Sequence, residues 1–98
     1  IAFFDIKLIL TAMKSNSNIN KYFSILSEAV ISMEAAGNMV VIKCHVGMAQ
    51  AACACLDKTD WSGVVGTLAG DDTIFAVIKT EKDAKNFVKD LSKYIQIG

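Results

Sequence analysis

The sequence contains no proline and no arginine, and it has one histidine among 98 residues. All ten basic residues are lysine, and ten acidic residues balance them to a formal net charge of zero. A nucleic-acid-binding surface needs clustered positive charge, and guanine is most often read by arginine. The composition therefore excludes such a surface on this chain. The absence of proline, together with only six glycines, also excludes a collagen-like or disordered chain.

Apolar residues are abundant, at 53% of the chain against 20% charged. A domain of this length leaves much of its surface in solvent, so its own core needs fewer apolar residues than that. We therefore expect part of the apolar surface to contact another chain. The three cysteines are an odd number without the spacing of a disulfide framework, which favours the reducing cytoplasm.

The first 21 residues differ from the rest of the chain. Residues 1–13 are apolar but include two charges, and they are fewer than the roughly 20 residues of a membrane-spanning helix. Residues 14–21 are polar turn formers, typical of a linker. We predict an N-terminal remnant and linker over 1–21 and a folded domain over 22–98. Because the chain begins with isoleucine, we expect it to be a fragment of a longer protein.

Hydrophobic patterns and turn formers divide the domain into six elements. They are strands at 26–34 and 39–45, a helix at 47–58, strands at 63–69 and 73–80, and a helix through 84–95. The segment 22–33 also fits a helix, and this alternative stays open. Thr80, three residues before Asp83, is the expected N-cap of the last helix.

This order predicts an α+β fold, a two-layer β-β-α-β-β-α domain whose four-stranded sheet carries two helices on one face. Two helices cover only one face of such a sheet. Alternation along the last strand points Ile74, Ala76 and Ile78 one way, and Phe75 and Val77 the other. Because both faces are apolar, we expect a partner to cover the face without helices.

Asp71 and Asp72 follow Gly70 at the turn of the second predicted hairpin. Neighbouring carboxylates repel each other unless a cation or hydrogen-bond donors stabilise them. A guanidinium, with five donors in a planar fork, suits such a pair, whereas two carboxylates are too few ligands for calcium. An ordinary turn is the alternative.

Gln50 and Asp57, seven positions apart, share one stripe of the first predicted helix and are a second candidate pair for a ligand, although ordinary surface roles remain open.

The cysteines and the histidine do not favour a metal or catalytic site. Cys53 and Cys55 differ by about 200° around a helix, so they cannot face one zinc ion. Cys44 and His45 are neighbours in a predicted strand, so their side chains point to opposite faces and cannot form a nucleophile and base pair. We expect these residues to serve packing or surface roles.

The run from Trp61 to Phe75, which contains G-T-L-A-G-D-D-T-I, resembles the G-T-[IL]-x-G-D-D-T-[IL] signature of the bacterial arginine repressor family. The segment 47–50, G-M-A-Q, followed by Asp57, resembles that family's G-x-A-Q helix and its trailing aspartate. The resemblance covers about residues 24–96. Two features depart from the family: Val46 replaces a usual proline, and the first 21 residues are too few for its DNA-binding winged helix.

The resemblance implies a domain that senses L-arginine, has no enzymatic activity, and forms trimers that pair into hexamers with arginine bound between the trimers. Asp71 and Asp72 would hold the guanidinium. The remaining contacts would come from Gln50, Asp57, Thr67 and Ala69. No cofactor or metal is expected, and operator DNA would be bound only through the missing winged helix. The parent protein would be a cytoplasmic regulator of arginine biosynthesis genes.

Two alternatives come from other classes of protein. The predicted element order also resembles that of the small pterin dehydratase enzymes, but acid–base catalysis there needs several histidines, and this chain has only His45. A generic amino-acid-binding regulatory module of the split βαβ kind would begin with a strand-helix-strand unit rather than a hairpin. The order of the strands distinguishes this module from the predicted domain.

Overall fold

The computed structural model describes residues 18–95. The elements in this range are α1 (Asn18–Ala29), β1 (Val30–Ala36), β2 (Met39–Cys44), α2 (Ala49–Asp57), β3 (Val64–Ala69), β4 (Thr73–Ile78) and α3 (Glu81–Ser92). The predicted α+β class and the order of its six elements are confirmed. A helix also precedes them, in the region where a helix over 22–33 was left as the open alternative to a strand.

The four strands form an antiparallel sheet in the order β1-β2-β4-β3. Gly37, with φ of 62°, forms the turn between β1 and β2, a backbone conformation that glycine adopts without a steric penalty. The second hairpin joins β3 to β4 through residues 70–72. Because the first two strands are an antiparallel hairpin, the alternative that begins with a strand-helix-strand unit is wrong for this domain.

The two faces of the sheet differ in what covers them. On one face Val40, Ile42, Ile74 and Ala76 are fully buried. Helix α2 packs against β2, β3 and β4 on this face, helix α3 packs against β1, β2 and β4, and α1 packs against α2. The predicted arrangement of two helices on one face of the sheet is therefore confirmed.

The opposite face carries exposed apolar side chains. In the register of the sheet, Val41 on β2 lies opposite Phe75 on β4, which lies opposite Leu68 on β3, so the three form a row. Leu68 is 73% exposed and Phe75 is 45% exposed, and Val77 lies beside them on β4. No described element covers this row, which we call the apolar sheet face.

Helix α1 corrects the predicted start of the first strand. Residues 26–29, predicted as strand, are helical, and the alternative helix over 22–33 is correct only as far as Ala29. Phe23, Leu26 and Ala29 are buried at helical spacing against the core. The β-branched pair after them begins the extended strand.

The predicted linker over 14–21 is helical from Asn18 onward. The proposed division of the chain at residue 21 stays a prediction. The apolar segment 1–13 lies outside the described residues.

The last helix follows its predicted pattern but ends at Ser92, so Ile95, which was predicted to be helical, is buried beyond its end. Thr80 is its N-cap, and the Thr80 hydroxyl accepts a hydrogen bond of 3.0 Å from the backbone N–H of Asp83. Phe87 and Leu91 are buried on the core side. Phe87 also meets the ring of Trp61 edge to face, with 5.2 Å between ring centroids. The cap and the apolar stripe together fix α3 on the sheet.

Gly63, just before β3, has a conformation that only glycine tolerates well. Its φ is 85°, and a Cβ there would lie 2.9 Å from Oδ2 and 3.1 Å from Cβ of Asp83. We expect Gly63→Ala to lower the free energy of unfolding by about 1–3 kcal/mol, measured by urea denaturation. Gly66→Ala is the matched control, since a Cβ at Gly66 meets open space and its φ is not positive. Equal stability of the two variants would contradict this explanation.

Candidate functional site

The predicted site residues lie along α2 and along β3, the strand beside it. Asp71 and Asp72 form the turn after β3, and both are exposed. The carbonyl of Asp71 accepts hydrogen bonds from the backbone N–H groups of Gly47, at 3.0 Å, and Ala49, at 3.3 Å. The carbonyl of Asp72 accepts one from the backbone N–H of Cys44, at 2.7 Å. The backbone of the turn is thus fixed against the start of α2, while both carboxylates stay on the surface.

The carboxylate of Asp72 is also oriented by its neighbours. Thr73 Oγ1 donates a hydrogen bond of 2.9 Å to Asp72 Oδ1, and Lys43 Nζ donates one of 3.3 Å to Thr73 Oγ1. Gln50 is the second residue of α2 and is exposed. It therefore lies at the same end of the helix as the two aspartates, which the sequence alone did not establish.

The other end of α2 carries a second polar group. Asp57 is the last residue of the helix and is exposed, and its Oδ1 accepts a hydrogen bond of 2.8 Å from Thr67 Oγ1. Ala69 lies two residues beyond Thr67, on the same face of β3, and is half-buried. Gln50 and Asp57 are seven positions apart on the helix, or about 10 Å along its axis. One chain thus presents polar groups at both ends of α2, with β3 running between them.

The three aspartates of this surface form no salt bridge with the described residues. The salt bridges within 18–95 join Lys85 to Glu81 and Lys93 to Asp90. None of them involves Asp57, Asp71 or Asp72. Three exposed carboxylates without an ion pair form a surface that attracts cations.

A cleft of about 190 Å³ adjoins Asp57 and Thr67. Asp60 also lines it, and Leu56, Trp61 and Phe87 form its apolar wall. Trp61 is 7% exposed, and its indole N–H has no hydrogen-bond partner in the described part of the chain. Trp61 thus belongs to the hydrophobic core and also borders the cleft. Its position beside the candidate site was missed, because no local pattern in the sequence indicates it.

The three cysteines are free and buried. The pKa of the Cys44 thiol is raised above its ordinary value, first by burial and then by the negative charge of Asp72 and the nearby Cys53. Burial also raises the pKa of the Cys55 thiol. The described residues contain no group of three or more histidine, cysteine, aspartate or glutamate side chains that could hold a metal ion. Neutral thiols are poor nucleophiles, so the arrangement does not favour covalent chemistry.

A raised pKa lowers the thiolate fraction at every pH below it, and burial limits access to the sulfur. We therefore expect Cys44 and Cys55 in the folded protein to react with a disulfide reagent at pH 8 at least about tenfold more slowly than in urea. Alkylation of the thiols that have not yet reacted, followed by mass spectrometry of peptides, measures the rate at each cysteine. Equal rates in the folded and unfolded protein would contradict the buried placement.

The fold and the site together define a small two-layer α+β domain with an acidic surface site and an uncovered apolar sheet face. The chain matches the family model of the arginine repressor, C-terminal domain, over residues 26–93. The chain therefore belongs to the arginine repressor C-terminal domain family, as its motifs indicated.

Curated relatives agree with this assignment. The chain is 42% identical over 86 residues to an arginine repressor of Alkaliphilus oremlandii, a match that covers 86% of this chain and 58% of the relative. It is 43% identical over 77 residues to one of Ruminiclostridium cellulolyticum, covering 79% of this chain and 51% of the relative. An arginine repressor of Lachnoclostridium phytofermentans is 40% identical over 88 residues, which cover 90% of this chain and 57% of the relative. The chain thus matches little more than half the length of these relatives.

Within the described residues, no helix has the length and apolar character needed to cross a membrane.

Proposed function

We propose that this domain binds L-arginine and couples that binding to self-assembly, as the sensing part of an arginine-responsive transcriptional regulator. The observation that carries the proposal is the set of exposed, unpaired carboxylates at both ends of α2 in a member of this family. Free arginine has a cationic guanidinium at one end and an ammonium and a carboxylate at the other. Its two cationic groups suit carboxylates that lie on separate parts of one surface.

Asp71 and Asp72 would hold the guanidinium, because they offer two adjacent carboxylates at a turn whose backbone is fixed. Gln50 and Asp57 would contact the other polar groups of the ligand. Thr67 and Ala69 would line the same surface from β3. All four polar groups at the two ends of α2 are exposed in the single chain, so a second subunit is needed to enclose a ligand.

Assembly is supported by the apolar sheet face. Burial of apolar surface contributes about 25 cal/mol per Å², so covering this face favours association before the entropic costs of binding are counted. We propose that the domain forms trimers and that two trimers pair into a hexamer, with arginine at the contact between them. Ligand that binds the hexamer better than the trimer must stabilise the hexamer by the same factor.

The regulator to which this domain would belong represses genes of arginine biosynthesis and acts in the cytoplasm. Operator DNA would be bound by a winged-helix domain outside this chain, since the ten lysines and ten acids here leave no net positive charge. The relatives carry the name of a repressor and not of an enzyme, which supports a regulator over the pterin dehydratase alternative.

Isothermal titration calorimetry with L-arginine tests the binding part of this proposal. We expect saturable binding for L-arginine and none for L-citrulline, which replaces the guanidinium with a neutral urea group. Equal heats for both amino acids would contradict recognition of the guanidinium by Asp71 and Asp72.

A further inference from the structure

We propose that Thr67 and Cys53 are positioning residues that hold the carboxylate of Asp57 in the orientation needed by the ligand. Three side chains form a continuous chain of hydrogen bonds from the core to the surface. Cys53 Sγ lies 3.2 Å from Thr67 Oγ1, which lies 2.8 Å from Asp57 Oδ1. Cys53 is buried, Thr67 is half-buried and Asp57 is exposed.

The direction of these hydrogen bonds follows from which of the three side chains carry a proton to donate. An ionised carboxylate only accepts hydrogen bonds, so the single proton of the Thr67 hydroxyl points to Asp57. The oxygen of Thr67 is then left as an acceptor, and the thiol of Cys53 must be the donor. The proton of Thr67 is committed to Asp57 and cannot also be donated to a ligand. Thr67 therefore acts through Asp57 rather than through its own hydroxyl.

These hydrogen bonds fix a side chain at the end of the helix. Asp57 is the last residue of α2, where an exposed side chain would otherwise rotate freely among its rotamers. Thr67 lies within a paired strand and is β-branched, so its own rotamer is restricted. A hydroxyl fixed in this way selects one orientation of the carboxylate before the ligand arrives, which lowers the entropic cost of binding.

The inference rests on the proposed function for its ligand, but the contact itself is measurable without arginine. We expect the NMR couplings between Hα and Hβ of Asp57 to show one dominant rotamer in the wild type and averaged rotamers in Thr67→Val. Thr67→Ser, which keeps the hydroxyl, should restore the single rotamer. Unchanged couplings in a folded Thr67→Val variant would overturn the positioning role.

Calorimetry with L-arginine then measures what the positioning contributes. Because the hydrogen bond from Thr67 is made to a charged group, we expect Thr67→Val to weaken arginine binding about tenfold and Thr67→Ser to restore it. The thiol is a weak donor, so Cys53→Ala should weaken binding only about two- to threefold, and Cys53→Ser should not. In the Thr67→Val background Cys53→Ala should have no further effect, because the acceptor is gone.

Cys55→Ala is the matched control, since it deletes a buried thiol from the same helix at a position about 200° away from Cys53. Loss of affinity in Cys55→Ala equal to that in Cys53→Ala would overturn the role of Cys53. If the wild type shows a fixed Asp57 but binds no L-arginine, the proposed function fails while the positioning of Asp57 by Thr67 stands.

Discussion

Asp72→Asn is expected to weaken L-arginine binding by at least about 100-fold and to remove any effect of arginine on the assembly. The substitution keeps the shape of the side chain and the acceptor for Thr73 but removes the charge. Breaking a charge-assisted hydrogen bond in an enclosed site costs about 2–5 kcal/mol, which corresponds to this loss of affinity. Asp71→Asn is expected to behave in the same way, because the two carboxylates would share one guanidinium.

Calorimetry and light scattering on the same samples measure both effects. Asp90→Asn is the control, because it removes a carboxylate that pairs with Lys93 near the end of α3. It should bind arginine as the wild type does. Normal binding by both Asp71→Asn and Asp72→Asn would show that the ligand lies elsewhere on the domain.

Replacing a side chain of the apolar sheet face with lysine is expected to dissociate the protein into monomers. Leu68 is 73% exposed and belongs to the row formed with Phe75 and Val41, so Leu68→Lys should leave the fold of the single chain intact. In an assembled state the new ammonium would be buried without a partner, at a cost of about 3–5 kcal/mol for each subunit contact. Sedimentation velocity measures the resulting mass.

Asn86→Lys provides the matched control, since it adds the same charge at an exposed position on α3. It should assemble like the wild type. Circular dichroism of Leu68→Lys checks that its secondary structure is retained. A Leu68→Lys protein that sediments as the wild type does would show that the apolar sheet face is not a subunit interface.

The elements that the sequence predicted well are those whose signals are local. Helix α3 combines a capping threonine with a stripe of apolar residues at helical spacing, and both were found in place. Strand β4 alternates so that Ile74, Ala76 and Ile78 are buried while Phe75 and Val77 are exposed. The start of β1 was wrong because the residues that end α1 are compatible with both helix and strand. Burial of Phe23 and Leu26 against the core decided in favour of the helix.

The arrangement of the site could be predicted only in part. The motifs indicated which residues are candidates for it, and the spacing of Gln50 and Asp57 indicated that they share one side of a helix. The backbone hydrogen bonds from Gly47 and Ala49 to Asp71 join residues more than 20 positions apart, and no periodicity in the sequence predicts them. The contacts from Thr67 to Cys53 and Asp57 span only 14 and 10 residues, but they too were not predictable, because they depend on how α2 lies against β3.

In the proposed function, arginine binding and assembly are one equilibrium. Light scattering of this chain across a titration with L-arginine, at several protein concentrations, tests it most directly. We expect the mass to rise from trimer toward hexamer as arginine is added, and less arginine to be needed at higher protein concentration. Saturable binding with no change in mass at any protein concentration would contradict it.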